Sequence, residues 1–171
     1  VRWAFWATCI VTLVADQVSK AWVRAAFHEG QTMPFPWPGV FEFTLTYNRG
    51  VAFGMFQGMG VLTTPIAIAI CIGAVLYSRR ATHEPRYVHA ALGLLSSGAF
   101  GNLIDRVWLG KVTDMLWFRL INFPVFNIAD SCITVAAISL VIRWGFEAVH
   151  HQAPDTEKPA AEEPAPDPAS N

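Results

Sequence analysis

Three observations predict an all-α membrane protein, a four-transmembrane-helix bundle. Four long apolar segments lie at residues 3–23, 58–77, 88–104 and 125–142, and a spanning helix needs about 20 mostly apolar residues. Trp3, Trp6, Trp22 and Trp144 fall near the ends of these segments, where amphipathic rings favour the headgroup region. The chain is 53% hydrophobic and only 15% charged, with a mean hydropathy of +0.36.

The same composition excludes several classes. A disordered chain is poor in apolar residues and rich in charge. A basic nucleic-acid binder does not fit, because 12 Lys and Arg nearly cancel 13 Asp and Glu. Three cysteines make no paired framework, and Cys9, Cys71 and Cys132 all lie in apolar stretches as inert thiols. Residues 152–171 stand apart, with five of the 11 prolines and five of the 13 acids. They read as a disordered Pro- and acid-rich cytoplasmic tail after a membrane domain at 1–151. Val1 in place of an initiator Met is unusual and leaves the native start open.

The first span is apolar but carries Asp16, Gln17 and Lys20 in its second half. The second, at 58–77, has no charge at all; a soluble bundle helix would show a polar face. The third is interrupted by His89 and Asn102, and the fourth carries Asn127 and Asp130 near its start. With termini taken as cytoplasmic, basic residues tie between the two sides. The short second connection holds Arg79, Arg80 and Arg86, which favours termini inside. In the connection at 24–57, Pro34, Pro36, Pro38 and Gly39 punctuate the first half. Apolar residues then alternate over 41–47, the period of a half-buried strand. A strand pair beside the membrane fits that pattern. The connection at 105–124, with Trp108, Asp114 and Trp117, is expected on the membrane surface as a helix or loop. Gly50, Gly54 and Gly58 are spaced for close helix packing or for flexibility at the junction.

Ionisable groups within spans are costly and usually functional. Asp16 and Lys20 share one face, four residues apart. Asn102, Asp105 and Arg106 share another at the end of the third span. Asn127 and Asp130 open the fourth, and Asp114 lies on the connection between. In an up-down bundle all of these come to the same end. Asp16 with Lys20 reads equally as a simple ion pair that eases insertion. Asp105 with Arg106, taken alone, reads as a snorkelling helix end. Asp130 has nothing basic within four residues and needs a partner from elsewhere. Two carboxylates sharing one proton supply a general base and a general acid together. Asp114 and Asp130 are the pair that position favours, with Asp105 third. No HExxH, GxSxG or phosphate-loop motif is present.

Five blocks now stand out in order: Asp16-Gln-Val-Ser-Lys20, Tyr47-Asn-Arg-Gly-Val-Ala-Phe-Gly54, Gly101-Asn-Leu-Ile-Asp-Arg-Val107, Val112-Thr-Asp114 and Phe126-Asn-Ile-Ala-Asp-Ser131. The chain resembles bacterial lipoprotein signal peptidase, the signal peptidase II family of membrane aspartic peptidases. The resemblance implies four transmembrane helices with cytoplasmic termini and a small extracytoplasmic β-cradle. A surface helix is also implied. It implies cleavage of diacylglyceryl-modified prolipoproteins on the amino side of the lipidated lipobox Cys. Asp114 and Asp130 match the catalytic aspartates. Asp16, Lys20, Asn48, Gly50, Asn102, Asp105, Arg106, Asn127 and Ala129 match other family positions, as substrate-binding or site-supporting residues. Membrane lipid and a globomycin-type inhibitor are the implied partners of a monomer, with no metal or organic cofactor. Arg49 and Met115 depart from the smaller residue and the Phe common there, which bears on lipobox preference or inhibitor affinity and not on the reaction.

Other readings remain. An intramembrane protease that cuts within helices expects a Gly-rich motif after its Asp, and Asp130 is followed by Ser131-Cys132. A small multi-pass transporter expects polar residues through the full membrane depth. A non-catalytic scaffold tolerates loss of either aspartate.

Overall fold

The computed structural model describes residues 2–50 and 60–151. Helix α1 runs Arg2–Ala26, α2 Gly60–Arg80, α3 Arg86–Leu109 and α4 Ile128–His151. Strands β1 (Thr32–Trp37) and β2 (Phe41–Asn48) lie between α1 and α2, and β3 (Val112–Phe118) lies between α3 and α4. A 3-10 turn at Arg119–Ile121 follows β3. Residues 152–171, expected as a tail, lie outside the described residues, as do Gly54 and Gly58.

The expected all-α four-transmembrane bundle is corrected on two counts. The three strands form one antiparallel sheet in the order β1-β2-β3, so the class is mixed. Among the described residues, one helix is long and apolar enough to cross a membrane by length and composition, over Ile128–Ala148 with a mean hydropathy of 1.5. The physical reason lies in the charges. Helix α1 carries Arg2, Asp16, Lys20 and Arg24. Helix α3 carries Arg86, His89, Asn102, Asp105 and Arg106.

The connection at 105–124 is corrected too. Helix α3 continues to Leu109 and stops on Gly110, whose φ of 70° suits glycine. Asp105 and Arg106 therefore sit inside the helix, and Asp114 is a strand residue. The alternating stretch at 41–47 is β2, as its pattern predicts. Strand β1 contains Pro34 and Pro36, which signalled a break; it is an edge strand, where missing N–H donors are tolerated.

Helices α1, α2 and α4 all pack on α3. The helices are apolar outside and small or polar within. Ile10, Val11, Val14 and Val18 of α1 are exposed, while Asp16 and Lys20 on the same helix are buried. Two apolar clusters brace the ends. Phe5, Ala74, Val88, Leu92 and Leu140 close the end that holds both termini of the helix set. Val23, Phe27, Leu45 and Met115 join the end of α1 to the sheet.

Glycines on α3 set the spacing. A methyl group on Gly98 would meet the Ala129 carbonyl oxygen of α4 and lie 2.7 Å from Ile133 Cγ1. One on Gly101 would stand 2.5 Å from Asp16 Oδ2. Among the described residues, close helix packing thus falls on Gly98 and Gly101 of α3. Gly98→Ala is expected to destabilise by about 1–3 kcal/mol, since the obstacle is backbone. Gly145→Ala, in open space on α4, is expected to be neutral or stabilising by up to about 1 kcal/mol. Unfolding midpoints in detergent check both; equal midpoints for the two variants would contradict the packing account.

Candidate active site

The site is built where the last turns of α1 and α3, the strand β3 and the first turn of α4 meet. Its centre is Lys20, fully buried. The ammonium lies 2.9 Å from Asp16 Oδ2 and 3.6 Å from Asp105 Oδ2, and donates to Asn102 Oδ1 at 3.0 Å. A buried ammonium is tolerated only when charges and acceptors replace its water. The two sequence-level pairs, Asp16–Lys20 and Asp105–Arg106, are thus parts of one network. Asp105 is buried rather than snorkelling.

Each acceptor of Lys20 holds a further element. Asp16 Oδ1 accepts from the Ala129 N–H at 2.9 Å, which ties α1 to the start of α4. Asp105 Oδ2 accepts from the Thr113 N–H at 2.8 Å, one residue before Asp114. The Asn102 amide donates to Asp130 Oδ1 at 2.8 Å.

Asn127 closes the constellation. It is the N-cap of α4. Its Oδ1 accepts from the Asp130 N–H at 2.9 Å, and Asp130 Oδ2 accepts from the Asn127 N–H at 3.2 Å. This reciprocal pair is a capping box, with Asn and Asp in the two roles. The Asn127 amide also donates to Asp114 Oδ1 at 2.7 Å, Asn102 Oδ1 at 3.1 Å and the Thr113 carbonyl at 3.2 Å. Asn127 therefore touches both aspartates.

Strand β3 aims Asp114. Phe126, just before the cap, bridges β3 at Leu116. On the other edge the β2–β3 register shifts between Phe43 and Thr46, so the ladder is irregular beside the Thr46–Asp114 pair. Such shifts often re-aim a side chain near a site.

Asp114 and Asp130 both line a cavity of about 650 Å³. Asn48, Asn102 and Arg106 supply its other polar walls. Ile66, Ala67 and Ile70 of α2 and Ile133 and Val135 of α4 supply apolar ones. Arg106 donates to the Asn102 carbonyl at 3.2 Å and shares the field of Asp130, Asp114 and Asp105. Asn48 accepts from the Gly50 N–H at 2.9 Å, which places buried Gly50 beside the cavity wall. Arg49 is exposed. Met115 is buried in the cradle core with Val23, Phe27 and Leu45, so that departure bears on packing.

Burial first, and the charge of Asp130 second, push the Asp114 carboxyl up to about 8. Asp114 therefore keeps its proton at neutral pH. Because the ordinary value is 3.8, this bound proton stabilises the fold fully below that value. The contribution is lost as pH rises through about 8.

Asp16, Lys20, Asn102, Asp105, Asp114, Asn127, Ala129 and Asp130 are thus joined by direct bonds, with Asn48 and Arg106 lining the same cavity and Gly50 bonded to Asn48. A profile described as Signal peptidase (SPase) II matches residues 8–146, which hold all of them. The chain belongs to the signal peptidase II family. The lipoprotein signal peptidase of Microcystis aeruginosa is 41% identical over 142 residues, covering 82% of this chain and 90% of that protein. That of Gloeobacter violaceus is 36% identical over 159 residues, covering 93% and 90%. A bacterial membrane enzyme solved by the in meso method at 2.3 Å has a TM-score of 0.79 and 27% identity, covering 90% of this chain and 94% of its own. A second, solved at 1.9 Å, has a TM-score of 0.74 and 30% identity, covering 82% and 91%. The chain is accordingly a membrane protein and a peptidase, with the function of a signal peptidase II.

Gln17, Arg24 and Thr113 also join the network, although the sequence alone assigns none of them a role at the site. Gln17 donates to Asp16 Oδ2 at 3.0 Å and the Gly101 carbonyl at 3.1 Å. Arg24 continues the i, i+4 face of Asp16 and Lys20, and that spacing was the available signal.

Asn127→Ala removes a helix cap and leaves buried partners unpaired. It is expected to destabilise by about 2 kcal/mol or more. A denaturation midpoint within error of the parent would show that the cap is not needed.

Proposed function

We propose that the chain is an aspartic endopeptidase with Asp114 and Asp130 as its catalytic pair. Its substrates are prolipoproteins already modified with diacylglycerol. Cleavage falls on the amino side of the lipidated Cys and releases the signal peptide. The observation that carries this reading is the cavity: two aspartates, each held by a different Asn, open onto one apolar-walled space.

The chemistry follows from one proton on two carboxylates. Asp130, as the carboxylate, takes a proton from water while the water oxygen attacks the scissile carbonyl. Asp114, protonated, donates a hydrogen bond to that carbonyl oxygen as negative charge develops there. In the second step the proton gained by Asp130 passes to the leaving nitrogen, and the C–N bond breaks. The carboxyl product leaves with the signal peptide, and the new amine stays on the lipidated Cys. No metal or organic cofactor has a step in this sequence.

Other residues bind and orient. Asn127 holds Asp114 and Asp130 in mutual register. Arg106 and Asn48 face the cavity and suit the carbonyls of an extended peptide. The acyl chains lie against the apolar walls from α2 and α4. A globomycin-type cyclic peptide would occupy the same space. The protein acts as a monomer. It crosses the membrane more than once, with cytoplasmic termini and the site near the extracytoplasmic face. Two features support that orientation: Arg79, Arg80 and Arg86 cluster at the turn farthest from the site, and the sheet sits at the site's end.

A gel-shift cleavage assay tests the reading. Purified protein in detergent meets a diacylglyceryl-modified prolipoprotein, beside Asp114→Asn and Asp130→Asn. The parent is expected to release the signal peptide, and each folded variant to lose at least about a hundredfold. Parental activity in either variant would overturn the pair.

The pH profile is a separate check. The rate is expected to fall as pH rises through about 8, where Asp114 loses its proton. A rate that stays level across that range would exclude Asp114 as the acid.

A further inference from the structure

Thr113 is gripped at three points. Its N–H donates to Asp105 Oδ2 at 2.8 Å, and its carbonyl accepts from the Asn127 amide at 3.2 Å. Its hydroxyl accepts from Arg24 Nη1 at 2.9 Å. The same nitrogen lies 3.5 Å from Asp105 Oδ1. Arg24 thus holds both Thr113 and the carboxylate that holds the Thr113 amide. Thr113 is fully buried.

Asp114 is the next residue along β3. Successive side chains of a strand point to opposite faces. The Thr113 hydroxyl turns toward α1, and the Asp114 carboxyl turns toward Asn127 and the cavity. A roll of the strand that moves one side chain moves the other in the opposite sense. The β2 ladder pairs Tyr47 with Thr113 and Thr46 with Asp114, but its register shifts directly beyond, between Phe43 and Thr46, so regular pairing holds Asp114 from one side only. Arg24 adds an anchor from outside the sheet at this point.

Arg24 lies about two helical turns beyond Asp16 on the same face of α1. Asp16 holds the Asp130 side of the site through the Ala129 N–H. Arg24 holds the Asp114 side through Thr113. We infer that Arg24 is a positioning residue for the reaction, and that α1, bonded at Asp16 and Arg24, sets the distance between the two aspartates. This assignment rests on the reading of Asp114 and Asp130 as the catalytic pair.

The test compares Thr113→Val, Thr113→Ser, Arg24→Gln and the Val/Gln double variant, with Asp114→Asn as control. All are assayed for kcat and KM on a diacylglyceryl-modified prolipopeptide. Thr113→Val keeps the shape and removes the acceptor. The Arg24 side chain is 27% exposed, so water replaces the lost bond and the fold is kept. Arg24→Gln also weakens the pair with Asp105, so Thr113→Val decides the matter if the Gln variant unfolds.

Thr113→Val is expected to lose on the order of tenfold in kcat at unchanged KM and unchanged thermal midpoint, because misplacing a catalytic group slows the chemical step. Arg24→Gln should match it. The double variant should lose no more than either single one, as members of one unit do. Thr113→Ser, which keeps the hydroxyl, should stay within about twofold of the parent. Parental kcat in Thr113→Val, a loss confined to KM, or additive losses would each overturn the role of Arg24. An active Asp114→Asn would instead overturn the catalytic pair itself, so the two failures are distinguishable.

Discussion

The structure depends on one buried cation. Lys20 has no access to water and is held by Asp16, Asp105 and Asn102. Isolated, such a charge costs several kcal/mol or would lose its proton. Here each partner that neutralises it is also a tether. Asp16 reaches the first turn of α4, Asp105 reaches β3, and Asn102 reaches Asp130. Removing one member leaves a buried charge uncompensated, which typically costs about 3–5 kcal/mol. The helices that α3 gathers are therefore locked in register by electrostatics at one end and by apolar packing at the other.

The start of α4 shows how closely folding and site geometry are joined. A helix N-terminus leaves backbone N–H groups without partners. Asn127, Asp130 and Asp16 satisfy three of them here. One of these side chains, Asp130, also lines the cavity, and Asn127 bonds Asp114 there. The capping box is a local folding signal, yet its Asp130 is the residue proposed as base. Asn127 extends the cap to Asp114 across a turn of chain that contains Phe126, whose bridge to Leu116 pins it to β3. The geometry of the pair is thus inherited from a helix start and a strand pairing. Neither needs substrate to form.

Much of the site was legible in the sequence, and less of the fold. Asp16 with Lys20, Asn102 with Asp105, and Asn127 with Asp130 each showed a helical spacing, and span order placed them at one end. What spacing does not carry is which pair bonds to which. The Lys20–Asp105 and Asn127–Asp114 contacts cross elements far apart in sequence. The fold class failed for a related reason. Residues 105–124 look like a polar connection because β3 alternates poorly: Val112 through Met115 are all buried, since β3 is covered on both faces. Prolines hid β1, which tolerates them as an edge. The charges that form the site also lower the hydropathy of α1 and α3, so that Ile128–Ala148 alone among the described residues reads as a span.

Charge accounting connects the network to the proposed chemistry. Asp16, Asp105, Asp114 and Asp130 face Lys20, Arg24 and Arg106. Four carboxylates against three cations leave one negative charge in a region poor in water. One bound proton cancels it. Asp16 and Asp105 lie against Lys20, and Asp105 also against Arg24. Asp114 makes no ion pair among the described contacts; its Oδ1 receives a neutral amide. Asp114 and Asp130 both line the cavity without an ion pair among the described contacts, and the proton falls on Asp114, which burial and the charge of Asp130 push above its ordinary value. On the proposed reading, the acid is not a property of Asp114 alone. It arises from burial and the charge of Asp130, opposed by the Asn127 amide and by Lys20, and a change at any of these neighbours shifts where the proton rests.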